Sequence, residues 1–351
     1  MSNQNVQRIG FACKYMHPDQ TQKKKVLEEL QRPLNEKATT ITWLNNQTRE
    51  VAEQRLWDIM QHNGVAAKRL VEYVGGLSNE LRMVRLGSNQ LPAYTQHDWS
   101  YFWRKSDVRQ EAERLYSAVG ETARELDVRL SMHPGQFTVL ASISDDIVNR
   151  SIEEFEYHVD IARWMGYGKQ FQDFKVNVHI SGKKGPAGIK ECLNRLSPEA
   201  RNCITIENDE NSWGLDASLE LAGHLGLVID IHHHWVNSGG EYIEPNDDRI
   251  KRVIDSWRGV RPTMHYSISR EDYLTDHSPY VKPDYQALLA TGHKKAKLRA
   301  HSDMCWNTAC NDWALSFWND FDIMVEAKHK NLANQQLLEQ YNHQVLSHCH
   351  K

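Results

Sequence analysis

The sequence is sparing in the features that most quickly fix a chain's class. Six cysteines in 351 residues, none in a C-x-x-C pair, exclude a disulfide-stapled scaffold and a zinc knuckle built on paired thiolates. No apolar run approaches the ~18 residues that a membrane-spanning helix needs, and the mean hydropathy is -0.66. Residues Met1 to Arg8 carry neither the apolar stretch nor the cleavage pattern of a signal peptide, so the expected location is the cytoplasm. Positive charge is not in surplus: 42 Lys and Arg against 46 Asp and Glu leave a net charge of -4. That balance excludes a broad polyanion binder while leaving room for a local basic cleft. Internal repeats and low-complexity tracts are absent as well, and one large domain over residues 1–351 is expected at this length.

What the chain has is histidine, 18 of them, and many stand at one kind of place. Val128 to Phe137 reads as a short buried strand that stops on His133 and turns sharply through Pro134 and Gly135. The same grammar recurs at Val176 to His179, Ile204 to Glu207, Leu227 to Asp230 with His233 just beyond, Thr263 to His265, and Ile323 to Glu326. Each is a run of β-favouring apolar residues ending in His, Asp or Glu.

Between these runs lie segments of helical period. Val51, Leu56, Ile59, Met60, Val65, Leu70 and Val74 repeat along residues 49–73, and Val108, Ala112, Leu115, Val119, Ala123 and Leu126 along 107–126. Counting strand-like runs at 8–13 and 81–87 as well gives eight strands alternating with helices, which predicts a (β/α)8 barrel. Two stretches without a steady period, 14–48 and 269–311, are expected as long loop insertions, and His-His-His-Trp at 232–235 as a loop.

Barrels of this type carry their active sites at the carboxyl ends of the strands. His133, His179, Glu207, Asp230, His233, His265 and Glu326 are therefore expected to converge, although they span most of the sequence. Imidazole and carboxylate together suit divalent Mn, Fe or Zn, and bridging carboxylates suit two ions about 3.5–4 Å apart, the arrangement that cleaves phosphodiesters. A lone histidine is more often a satisfied core group than a ligand. Seven such groups at successive strand ends are another matter, because unpaired they would carry heavy desolvation costs. His232, His234, His158, His224, His348 and His350 lack that placement and are expected at the surface or behind the ligands.

Arg8 to Cys13, Arg85-Leu-Gly-Ser88, Ser131-Met-His-Pro-Gly-Gln136, His179-Ile-Ser-Gly-Lys183, Ile206-Glu-Asn-Asp-Glu210, Asp230-Ile-His-His-His234, His265-Tyr-Ser267, Arg299-Ala-His-Ser-Asp303 and Val325-Glu-Ala-Lys328 together resemble the UV damage endonuclease family. That family is similar in fold and metal site to apurinic endonucleases of the endonuclease IV type. The resemblance implies an enzyme that nicks duplex DNA immediately 5′ of pyrimidine dimers and related lesions with two or three divalent ions, most often Mn2+, with Zn2+, Co2+ or Mg2+ as alternatives. It adds His97 and His301 to the expected ligands, and Glu207, His265 and Glu326 are the expected catalytic members. Gln136 and Phe137 stand where the family has a pair that wedges into the duplex. Phe11 stands where a tyrosine near the lesion is common, and Lys183 is an expected phosphate contact. Thr263 replaces a lysine that family members often carry two residues before the seventh-strand histidine, so fewer ions or a different hold on them is expected.

Tyr94, Trp99, Trp103 and Phe137 are expected to line the mouth and fill the space left by extruded bases. The expected partner is damaged double-stranded DNA, bound by a monomer, with no membrane. Two rivals share the expected architecture: a divalent-metal sugar isomerase acting on a small polyol, and a lesion-binding protein without turnover.

Overall fold

Every predicted apolar run forms a strand: β1 Ile9–Cys13, β2 Met83–Leu86, β3 Arg129–Met132, β4 Lys175–His179, β5 Ile204–Glu207, β6 Gly226–Val228, β7 Thr263–Tyr266 and β8 Asp322–Val325. The structure, a computed structural model, describes residues 6–349, so the start of the polar N-terminus and His350 lie outside the described residues. The strands are all parallel, in the order β6-β5-β4-β3-β2-β1-β8-β7. An isolated parallel bridge between Asp230 and His265 joins the two ends of that row, with His265 N donating to Ile229 O at 2.9 Å. The result is the (β/α)8 barrel. All residues of β5, β7 and β8 are buried, as expected of short parallel strands covered on both faces. No helix among the described residues is long and apolar enough to cross a membrane.

The helices pack outside. Arg49–Gly75 starts on Thr48, whose hydroxyl accepts from Val51 N at 3.4 Å, and it lies against the helix Ser106–Glu125. A Cβ at Gly75 would fall 2.6 Å from Leu126 Cδ1, so glycine is what lets the chain turn there against its neighbour. Val51 and Val65, members of the apolar period, are solvent-facing edges of the stripe.

The two expected loop insertions, 14–48 and 269–311, are mostly irregular but hold short helices. Helices at Lys24–Gln31 and Ile41–Asn45 occupy the first, and helices at Tyr285–Ala290 and Lys295–Leu298 the second. Each helix has five to eight or four to six residues, too few turns for a period to show. Both segments are fastened down. Asn35 exchanges hydrogen bonds with the backbone of Tyr15 at 2.7 and 2.9 Å, and Trp306 Nε1 donates to Ser269 O at 2.9 Å. At the amino ends of the strands, buried Asp322 accepts from Arg129 at 2.6 Å, Arg261 at 2.7 Å and Arg8 N at 2.9 Å.

Candidate metal centre

Strand register alone brings the first ligands together, since His179 on β4 lies beside Glu207 on β5. Glu207 is fully buried and stands at the middle of the cluster. Its Oε2 is 3.4 Å from His133 Nε2 and 3.8 Å from His179 Nε2, and its Oε1 is 3.4 Å from His233 Nδ1 and 3.0 Å from His265 Nδ1. Two oxygens facing two sets of imidazoles is the disposition of a bridging carboxylate. His265 also lies 3.2 Å from Glu326 Oε1 and brings β8 into the cluster.

Asp230 enters by a different route from the one expected. β6 is short, and 231–238 is a helix rather than a loop, with Asp230 as its N-cap: Oδ1 accepts from His233 N at 2.7 Å. The helical turn then sends three consecutive histidines in three directions. His233 faces the cluster; His232 meets Ser267 Oγ at 2.9 Å and Leu298 O at 3.1 Å; His234 meets Glu241 at 3.0 Å. His232, His234 and His158 are buried, one of the two placements expected of them, whereas His224 is exposed.

Among the described residues, four groups of donor atoms lie within 4.8 Å of one another: His133, His179 and Glu207; His179, Glu210 and His233; Glu207, Asp230 and His233; Asp230, His265 and Glu326. The donors fit divalent cations. Asp230 Oδ2 is buried without a hydrogen-bond partner, a costly state for a carboxylate oxygen unless a cation takes it up. Several rings are also held from behind so that their inward nitrogen is aimed. His133 Nδ1 donates to Pro134 O at 2.7 Å, His233 Nδ1 lies 3.1 Å from Asn208 O, and His179 Nδ1 lies 3.3 Å from Asp209 Oδ2.

The buried carboxylates and imidazoles perturb one another strongly. Burial alone would raise Glu207, but the imidazoles of His265 and His179 and hydrogen bonds from His133 and His265 hold it well below the usual carboxylate range. Burial, joined by Glu207 and Glu326, pushes Asp230 up to about 7 despite His233. Burial opposes charge on His179, yet Glu207, Asp209 and Glu326 outweigh it and raise the ring to about 10.

Several groups carry no signal at the strand ends and were not foreseen. Arg85 on β2 reaches Glu326 inside the barrel, and Lys175 at the start of β4 places Nζ 2.9 Å from His265 Nε2. Burial, reinforced by Arg85, pushes Lys175 down to about 7. Buried Thr263 leaves its hydroxyl unpartnered, so the seventh-strand threonine has no polar role among the described residues. Glu210 and Asp209 follow Glu207 in a run whose carboxylate spacing could have marked them.

His301 stands at the edge of the cluster. Its Nδ1 donates to Glu326 O at 3.0 Å, and its ring lies 6.1 Å from that of His233. The structure does not bring His97 in: its ring is fully exposed beside Asp98, because Trp99, Phe102 and Trp103 take the buried positions of that loop. Phe11 is likewise corrected. It is wholly buried in β1, in register with Val84 and Val325, and cannot meet a lesion. Trp99 is buried, whereas half-buried Tyr94, tied to Asp160 at 2.8 Å, and largely buried Trp103 line a cleft together with Phe137. Gln136, Phe137 and Lys183 are exposed, with Phe137 at 85%. Phe137 rims a cleft of about 1200 Å³ lined by charges of both signs, Arg104, Arg109 and Arg150 beside Glu153, Glu154, Glu156 and Asp160.

A family model described as UV-endonuclease UvdE matches residues 7–350. Two similar relatives are both called UV DNA damage endonuclease. The one from Bacillus velezensis is 25% identical over 305 residues, covering 84% of each chain, and the one from Bacillus mycoides is 24% identical over 312 residues, covering 86% of this chain and 88% of its own. The crystal structure of SacUVDE is similar with a TM-score of 0.70 at 20% identity, over 96% of this chain and 99% of that one, and shows the same fold.

Proposed function

Because the chain belongs to the UV-endonuclease UvdE family, we propose that it is a metal-dependent DNA repair endonuclease that nicks the backbone immediately 5′ of pyrimidine dimers. The observation that carries this reading is the pairing of a cation-ready cluster with an exposed aromatic on one short segment. His133 faces Glu207, and Phe137, four residues on, projects into solvent. A closed pocket for a polyol would have no use for such a residue. A duplex that must be opened at a lesion would.

Divalent ions, Mn2+ first among them, supply charge for the developing oxyanions and a more acidic water when bound. His133, His179, Glu207, Asp230, His233, His265 and Glu326 would hold them, with His301 at the rim. Glu207 has the central role because each of its oxygens serves a different set of rings. His265 and Glu326 complete the inner wall, and Arg85 fixes the Glu326 carboxylate from the side. Phe137 stacks in the opened duplex, Gln136 beside it supplies hydrogen bonds, and Lys183 takes a backbone phosphate. Cleavage leaves a 3′-hydroxyl and a 5′-phosphate, and the protein acts as a monomer on double-stranded DNA.

The test is incubation with Mn2+ and an end-labelled duplex carrying one cyclobutane dimer, beside undamaged and abasic duplexes and a Glu207→Gln control. The expected result is dimer-dependent nicking on the 5′ side that the control lacks. Bound metal with no nicking of any duplex would overturn the reading.

A further inference from the structure

Glu210 belongs to the cluster by position, yet it sits on the loop after β5 rather than on a strand, where a carboxylate needs support to keep its aim. The structure supplies that support on one oxygen only. Arg299 donates to Glu210 Oε1 at 2.9 Å and Asn211 Nδ2 donates to the same oxygen at 2.8 Å. Oε2 is left facing inward, 3.8 Å from His233 Nε2, and Asp230 Oδ2 lies at the same 3.8 Å from that nitrogen. With His179 within ligand reach, the inward oxygen of Glu210 completes one of the donor groups.

Arg299 does not arrive by chance. It follows the helix Lys295–Leu298 in the long segment after β7, and the backbone there is pinned to the barrel on both sides. Leu298 O accepts from the Ser269 hydroxyl and faces His232 at 3.1 Å, while 301 bridges to 269. Buried His232, which holds no position in the cluster itself, thereby fixes the backbone that carries both Arg299 and His301. A charge-assisted guanidinium hydrogen bond on one carboxylate oxygen is the kind of outer support that orients a metal ligand.

We propose that Arg299 is a positioning residue which, with Asn211, fixes Glu210 as a ligand for the outermost divalent ion, shared with His179 and His233. This rests on the metal-dependent reading. It adds a ligand from the fifth loop and gives the segment between β7 and β8 a role in ion loading.

The experiment is a calorimetric titration of the metal-stripped full chain with Mn2+ in the absence of DNA, for the unaltered protein and for Glu210→Gln, Arg299→Gln and Arg299→Lys, with thermal melts to verify folding. The expected result is that Glu210→Gln weakens the weakest Mn2+ step at least tenfold and leaves the tighter steps in place. Arg299→Gln should weaken the same step by a smaller factor, and Arg299→Lys should recover part of it. Folded variants that titrate like the unaltered protein would overturn the proposal, as would loss of all steps together. Failure of the unaltered protein to bind Mn2+ at all would instead sink the metal-dependent reading, so the two failures are distinguishable. Should Glu210→Gln not fold, Asn211→Ala tests the same carboxylate from its other donor, and an unchanged titration there together with an unchanged Arg299→Gln would be decisive against it.

Discussion

Asp230 accepts the His233 amide on one oxygen at 2.7 Å and leaves the other buried without a hydrogen-bond partner among the described residues. One residue thus both starts the helix Ile231–Ser238 and presents a bare oxygen to the cluster. The two roles separate by substitution. Asp230→Asn keeps the capping oxygen but turns an amide toward the cation site. It should leave the melting temperature unchanged or raised while lowering Mn2+ affinity by more than the roughly 10–100-fold typical of losing a ligand's outer hydrogen-bond partner. Asp230→Ala should lose metal affinity and, in addition, the cap, at a cost of ~1 kcal/mol. Paired thermal melts and metal titrations check both.

Phe137 predicts the opposite separation. A side chain that is 85% exposed contributes little to folding, so Phe137→Ala should change stability by no more than about 0.5 kcal/mol. Stacking of a base on an aromatic is worth ~1–3 kcal/mol, so nicking of dimer-containing duplex should fall roughly 5- to 150-fold. Phe137→Trp should retain most of it. Cleavage rates on the dimer duplex, with melts as the control, decide the matter; equal loss of metal binding would contradict the wedge role.

The barrel and most of the candidate cluster are legible because both are written in period and position. Alternation of short apolar runs with helical stripes fixes the architecture, and a polar residue at the end of an apolar strand has only the mouth to face, as at His133, His179, Glu207 and Glu326. Residues whose placement depends on loop packing were not legible. His97 is turned out because Trp99, Phe102 and Trp103 turn in, and nothing in the spacing says which of them wins. Phe11 shows the converse error: a position within a strand says that the residue is paired, not that it reaches the open end. Lys175, Arg85 and Arg299 act across the barrel from strands and loops distant in sequence, so only the closed fold brings them to His265, Glu326 and Glu210.

His158 gives a pH dependence of stability outside the ligand set. Its ring is fully buried in the helix Asp145–Trp164, with Nδ1 2.7 Å from Glu154 O and Nε2 unpartnered. Burial pushes its pKa down from 6.5 to about 4. As pH falls through 6.5 the unfolded chain takes up the proton while the folded one does not, so stability present above 6.5 is lost progressively toward about pH 4. His158→Gln should flatten that part of the profile. Denaturant unfolding of metal-free protein between pH 4 and pH 7 measures it, and parallel profiles for the two proteins would refute the assignment.

Asp322 tests stability at the end of the barrel away from the cluster. It is fully buried and takes Arg129 at 2.6 Å, Arg261 at 2.7 Å and the Arg8 amide at 2.9 Å, tying β8 to β3, the start of β7 and the start of β1. Removing one partner from a buried ionic network leaves the others charged and desolvated, at a cost of ~3–5 kcal/mol. Asp322→Ala should therefore unfold at distinctly lower denaturant concentration, and Asp322→Asn should lose less because the amide oxygen can still accept. Neither should alter Mn2+ affinity in the protein that remains folded, since the amino ends of barrel strands serve stability and the carboxyl ends serve chemistry. A change in the metal titration of folded Asp322→Asn would show that the two ends of the barrel are coupled.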